Sequence, residues 1–160
     1  MQKRVNLARL AGLAAAAMLT LAFAAPALAV DTVSSTDAPD LSVPRAKIKA
    51  KDWGGAITEL KKIADATTHA DVYSLLGFAL RNAGGIAEAK VFYAKALDFD
   101  PTHKGAHEYL GELYLKINDM AKAKEQLATL EKLCPKGCEE LDDLRKHFMA
   151  ATAAPNTKKD

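Results

Sequence analysis

Two pairs of side chains have the types and spacing that chemistry could use. Cys134 and Cys138 frame the segment Cys134-Pro135-Lys136-Gly137-Cys138. Pro135 breaks a helix and Gly137 can take positive φ, so the loop can bring two Cα atoms within the roughly 4.4–6.8 Å that a disulfide needs. Closing so short a loop contributes only about 2 kcal/mol in the entropic account. Redox-active dithiols usually carry two intervening residues rather than three, and no thioredoxin-like pattern surrounds these two. A structural disulfide is the favoured reading, and a thiol–disulfide or metal-binding protein using Cys134 and Cys138 is the alternative.

The second pair is His103 and His107, four apart, which on one helical face is metal-ligand spacing, with Glu108 beside them. No third ligand accompanies them, and a packed His107 is the simpler reading. His69 and His147 are isolated. There is no His-Glu-x-x-His, no Cys-x-x-Cys-His and no phosphate-cradling glycine loop, and no nucleophile–base pair stands out. The expectation is a protein that is not an enzyme, with no metal site and no cofactor.

The N-terminus says where these groups would work. Lys3, Arg4 and Arg9 precede an apolar run from Leu10 to Ala25, followed by Pro26 and the small triplet Ala27-Leu28-Ala29. That is the pattern of a secretory signal peptide, spanning 1–29 and cleaved before Val30. The run is short for a membrane span of about 20 residues and is mostly alanine, so no stable insertion is expected after cleavage. What remains from Val30 to Asp160 is enough for one small domain. Cleavage also removes three basic and no acidic side chains, so the formal net charge falls from +2 to −1. A near-neutral chain without a basic stripe is a poor nucleic-acid binder. A periplasmic or secreted location follows, where two cysteines pair by default.

The rest of the chain alternates helices and breaks. Residues 30–43 are polar and lack an apolar period, as expected of a disordered leader. Pro44 suits the first turn of a short helix, and Asp52 an N-cap. Ala56, Ile57, Leu60, Ile63 and Ala64 recur at helical spacing. Thr67-Thr68 form a turn and cap, and a third helix carries Val72, Tyr73, Leu76, Gly77 and Leu80 up to Gly84-Gly85. A fourth carries Ala89, Phe92, Tyr93, Ala96 and Leu97 up to Pro101. A fifth carries His107, Leu110, Gly111, Leu113 and Tyr114, ending at the Asn118-Asp119 turn. A sixth holds Ala123, Leu127 and Leu130, and a seventh runs from Glu139 to about Ala151, before a polar tail over 152–160. No strand is expected.

One pattern is written twice. Leu76-Gly77, Ala89 and Pro101 return as Leu110-Gly111, Ala123 and Pro135, every member displaced by the same interval of 34. A fixed period of this size marks stacked supersecondary units. Helix, tight turn and helix at this period resemble the tetratricopeptide repeat, here as an exported protein of bacterial type. The second repeat carries Tyr73, Leu76-Gly77, Leu80, Ala89, Tyr93, Ala96 and Pro101. The third carries His107, Leu110-Gly111, Tyr114, Ala123, Leu127, Leu130 and Pro135. The first is degenerate, fitting through Trp53, Ala56, Leu60 and Ile63, with Ala56 one short of the full interval before Ala89. The resemblance implies an all-α, short right-handed solenoid of antiparallel helix pairs over 44–151: repeats at about 44–67, 70–101 and 104–135, and a capping helix at 139–151. Gly77 and Gly111 would let the paired helix approach, with Ala89 and Ala123 facing them.

The resemblance also implies a partner, a peptide or protein held in the groove lined by the first helix of each pair. The outward residues there are Ser74, Phe78, Arg81 and Asn82, then Glu108, Glu112, Leu115 and Lys116. Phe78 beside Arg81 would suit a peptide anchor. The family's Lys/Asn clamp on a C-terminal carboxylate is not expected, because the matching positions hold Ser74 and Phe78, then Glu108 and Glu112. Self-association through an apolar face left open by the weak first helix is a further expectation.

Overall fold

The computed structural model describes residues 38–153. Within them lie α1 (Ser42–Lys49), α2 (Trp53–Ala64), α3 (Ala70–Asn82), α4 (Ile86–Phe99), α5 (Lys104–Lys116), α6 (Met120–Leu133) and α7 (Glu139–Ala153), and no strand is found among the described residues. The signal peptide, most of the leader and the end of the tail lie outside them. Two boundaries differ from the sequence reading. Ser42 and Val43, assigned to the leader, open α1, and Leu41 before them is buried in the core. Thr152 and Ala153, assigned to the tail, remain in α7.

One turn geometry joins the helices of each pair. Gly84 takes φ +93° while its N–H donates to the Arg81 carbonyl, and the Gly85 N–H donates to Leu80 at 2.8 Å. Asn118 does the same at φ +60°, with its N–H to Leu115 and that of Asp119 to Tyr114. Lys51 repeats it at φ +57°, with its N–H to Ile48 and that of Asp52 to Lys47. These paired bonds satisfy the orphan carbonyls of a helix end, and they need a left-handed residue at the turn. Asp52 and Asp119 then cap the following helix, accepting from the N–H of Gly55 at 2.9 Å and of Lys122 at 3.2 Å. Gly85 holds the matching place between them. The degenerate first unit thus turns like the other two.

Consecutive helices pack in order from α1 to α7, and α3 packs also on α5, and α5 on α7. Short turns force neighbours to run antiparallel. The second helix of each pair completely buries the alanine at the matching place, Ala56, Ala89 or Ala123. Gly77 meets this seam at close quarters. A Cβ added there would stand 2.7 Å from the Tyr93 ring and 3.1 Å from the Ala89 carbonyl oxygen. Gly111 is buried too, but against a different surface: a Cβ there would lie 2.6 Å from Leu144 of α7 and 3.3 Å from Gln126 of α6. The third repeat's glycine therefore admits the terminal helix rather than Ala123.

The core has two parts. The larger runs through α1–α6 around Leu60, Leu76, Tyr93 and Leu113. The smaller joins Leu130 and Cys134 to Leu141 and Leu144, with Leu115 touching both. The Cys134 and Cys138 sulfurs are in bonding contact, with Cα atoms 5.8 Å apart, at the corner where α6 hands over to α7. Gly137 takes φ +87° there.

The Gly77 contact generates a paired expectation. Gly77→Ala should destabilise the domain by about 1–3 kcal/mol, because Tyr93 is fully buried and cannot move away. Gly54→Ala, in the same kind of helix but with nothing within 4 Å of the new methyl, should gain roughly 0.5 kcal/mol from helix propensity. Urea unfolding followed by circular dichroism checks both signs.

Candidate functional site: the groove of α3, α5 and α7

The first helix of each unit turns one face to a common groove, and polar ladders cross it. Near one end, Arg45 of α1 lies 3.7 Å from Asp71 of α3, which lies 2.7 Å from Nε2 of His103 at the start of α5. Near the other, Arg81 of α3 pairs closely with Glu112 of α5, and Glu112 lies 3.1 Å from His147 of α7. The Arg81–Glu112 pair is well shielded, its side chains 12% and 13% exposed. The Arg81 guanidinium also sits over Phe78 at 5.5 Å and over Tyr109 at 5.8 Å. Phe78 is half-buried between Trp53, ring centroids 6.2 Å apart, and Tyr109, 4.9 Å apart.

The eight residues proposed for partner binding divide by position. Arg81, Asn82, Glu112, Leu115 and Lys116 line one cleft of about 430 Å³, joined by His147 and Ala151 of α7. Asn82 and Lys116 are its exposed members from α3 and α5. Glu108 borders a neighbouring cleft, one turn away on α5. Ser74 does not face outward: it is 2% exposed, and its hydroxyl has no hydrogen-bond partner among the described residues. Glu108 is buried as well, at 9% exposure.

The sequence reading leaves α7 out of the groove, although the chain carries the signal. Leu144 follows Leu110 at the repeat interval, as Leu110 follows Leu76. The terminal helix therefore occupies the place of the first helix of a fourth unit, so one side of it borders the groove.

Electrostatics single out Glu108. Burial is the main cause that pushes its carboxyl up to about 8, reinforced by the nearby carboxylates of Glu112, Asp143 and Glu140 and opposed by Arg81. Burial also pushes the Tyr109 hydroxyl up to about 12, with Glu108 and Glu112 adding to it.

His103 and His107 are engaged in structure. His103 is the N-cap of α5: its Nδ1 accepts from the Ala106 N–H at 3.0 Å, leaving Nε2 to donate to Asp71. His107 donates from Nε2 to the Pro101 carbonyl at 3.0 Å, and the Gln126 side-chain amide lies 2.8 Å from its Nδ1. Both nitrogens of each ring are therefore occupied. Tyr73, one repeat earlier, makes the equivalent tie, its hydroxyl donating to the Thr67 carbonyl at 2.8 Å. His107 fills the aromatic position of the repeat and keeps its hydrogen bond. Among the described residues no group of three or more His, Cys, Asp or Glu could hold a metal ion.

Comparison with known proteins agrees with this architecture. Residues 80–146 match the tetratricopeptide repeat family. The helical domain has the fold of tetratricopeptide-repeat domains. The uncharacterized protein ycf37 of Pyropia yezoensis is 36% identical over 55 residues, which is 34% of this chain and 31% of that protein. The match thus spans about a third of that relative's length. The second tetratricopeptide domain of human RPAP3, solved with the HSP70 peptide SGPTIEEVD, is 18% identical with a TM-score of 0.58, over 65% of this chain and 88% of that one. The first such domain of Spaghetti, bound to the HSP90 peptide SRMEEVD, is 19% identical with a TM-score of 0.60, over 69% and 88%. The TPR2B domain of yeast Sti1, solved in a complex with pHsp70, is 19% identical with a TM-score of 0.63, over 69% and 90%. At these identities the likeness is one of fold.

Both buried charges of the groove have measurable consequences. Arg81→Ala leaves Glu112 shielded without its main partner and should cost about 3 kcal/mol, measured by chemical unfolding. Glu108 binds its proton more tightly folded than unfolded, so stability should fall as pH rises from about 5 to 8, by on the order of 3 kcal/mol. Glu108→Gln should flatten that fall in thermal melts recorded across the range.

Proposed function

We propose that this chain is an exported, non-catalytic interaction module that holds a peptide or protein partner in the groove of α3, α5 and α7. The observation that carries the reading is the 430 Å³ cleft where five residues from two repeats and two from α7 come together around a buried ion pair. Helices present charged, polar and aliphatic side chains together there, on rigid elements that suit a recognition surface. The peptides seen on RPAP3 and Spaghetti support a peptide partner. Those peptides are acidic, and here Glu108 and Glu112 stand where a carboxylate clamp would be, so a C-terminal carboxylate is not the ligand.

The pattern of residues 1–29 supports export to a periplasmic or secreted location. There Cys134 and Cys138 form a disulfide that fixes the angle of α7, and with it the α7 wall of the groove. Cys134 is buried, which suits a staple better than an exchanging thiol.

Site-specific photo-crosslinking in the native compartment tests this. A crosslinker at Asn82 or at Lys116 should capture the same partner, and one at Val91, exposed on α4 outside the cleft, should capture nothing in common with them. Capture from Val91 alone would move the binding surface off the groove.

A further inference from the structure

A second cleft, of about 230 Å³, opens between α5 and the first turn of α7, lined by Gly105, Glu108, Tyr109, Glu139, Glu140 and Asp143. Four carboxyl groups border it and no basic side chain does. Three of them have local explanations. Asp143 pairs with Lys146 at 2.7 Å, and Glu139 and Glu140 sit where the N-terminal end of α7 attracts negative charge. Glu108 has none. It stands mid-helix in α5, 9% exposed, with no hydrogen-bond or ion-pair partner among the described residues. A shielded carboxyl that faces a cleft without a partner is held at some cost, and an arriving cation would offset that cost.

We infer that this cleft takes up a cationic side chain, a lysine ammonium or an arginine guanidinium, of the polypeptide that lies in the groove. The inference rests on the proposed groove reading and names the charge of its ligand. The cleft has room for a side-chain end rather than one water, which occupies roughly 30 Å³. The Tyr109 side chain lines the cleft beside Glu108, while Arg81 is already engaged with that ring and with Glu112. Glu108 is one helical turn from Glu112 of the larger cleft, so a chain lying there passes within reach of both. A bare metal ion is a poor fit, because these carboxylates do not converge into a ligand set.

Proton linkage follows from the groups around Glu108. Burial does most to hold its proton on, Glu112 from α5 and Asp143 and Glu140 from α7 add to it, Arg81 from α3 opposes them, and Tyr109 and Glu139 complete the wall. With its acidity shifted to about 8, Glu108 carries a proton at pH 7 when the cleft is empty. A bound cation displaces that proton.

The test is isothermal titration of the full chain at pH 7, in two buffers of different ionisation heat. The probes are a blocked nine-residue alanine peptide with three lysines, its acetyl-lysine counterpart, the acidic peptide SRMEEVD, and spermidine. The lysine peptide should bind at least tenfold tighter than the acetylated and acidic ones, releasing a proton. Glu108→Gln should lose about tenfold in affinity and all of the proton release while keeping a helical spectrum. Glu139→Gln with Glu140→Gln should lose about threefold, and Glu125→Gln, exposed on α6, nothing. Equal affinity of wild type and Glu108→Gln overturns the inference, as does spermidine binding that matches or exceeds the peptide. Binding of the neutral or acidic peptide alone, at the Asn82 side, overturns it and leaves the groove reading standing. No binding by any peptide counts against both.

Discussion

How closely the two helices of a unit can approach is the constraint on which this domain depends. Gly77 lies against the ring of Tyr93 with no space for a single methyl, and Ala89 gives its carbonyl edge to the same contact. A small residue at one helix and a large buried ring at the other set the separation. The left-handed turn at Gly84 sets the angle. Once one pair is fixed, the next can stack on it, and the same face of each first helix is delivered to the same side. One unit cannot bury its own apolar face, so the stack needs ends. Here Leu41 and α1 close one end, and α7, reaching in over Gly111, closes the other.

The groove inherits its chemistry from that stacking. Stacking brings α3 and α5 side by side, which is why Arg81 and Glu112, 31 positions apart in the chain, form a shielded pair. The pair engages Arg81 with Glu112 and leaves Glu108, one turn away, without an ion-pair partner among the described residues. Two ladders, one through Asp71 and one through Glu112, tie consecutive first helices together across the groove. A shielded pair of this kind adds little net stability, while loss of one partner strands the other. Cys134 and Cys138 lie together at the corner where α6 meets α7, with their Cα atoms 5.8 Å apart.

Much of this was legible in the residues. The constant displacement of Leu-Gly, Ala and Pro located two helix pairs, and Asp52 and Asp119 announced the helices they cap. Other features were hidden because a different residue type performs the same physical task. Lys51 takes the left-handed turn that Gly84 and Asn118 take, although nothing in a lysine suggests it. His107 makes Tyr73's bond to the preceding loop. The burial of Ser74 and Glu108 could not be read from periodicity, because both fall on the face that should open to the groove. Their shielding comes from neighbouring helices, a tertiary fact. Gly111 had the right type but a different neighbour, since the terminal helix takes the space that Ala123 was expected to fill.

The central claim is the contact at Gly77, and nuclear Overhauser spectroscopy of the labelled protein reports on it directly. One Gly77 Hα should show strong cross-peaks to the Tyr93 ring protons and an upfield, ring-current-shifted resonance. A Gly77 with random-coil shifts and no cross-peak to Tyr93 would mean that the paired helices do not meet there, and the stacking built on that contact would be wrong.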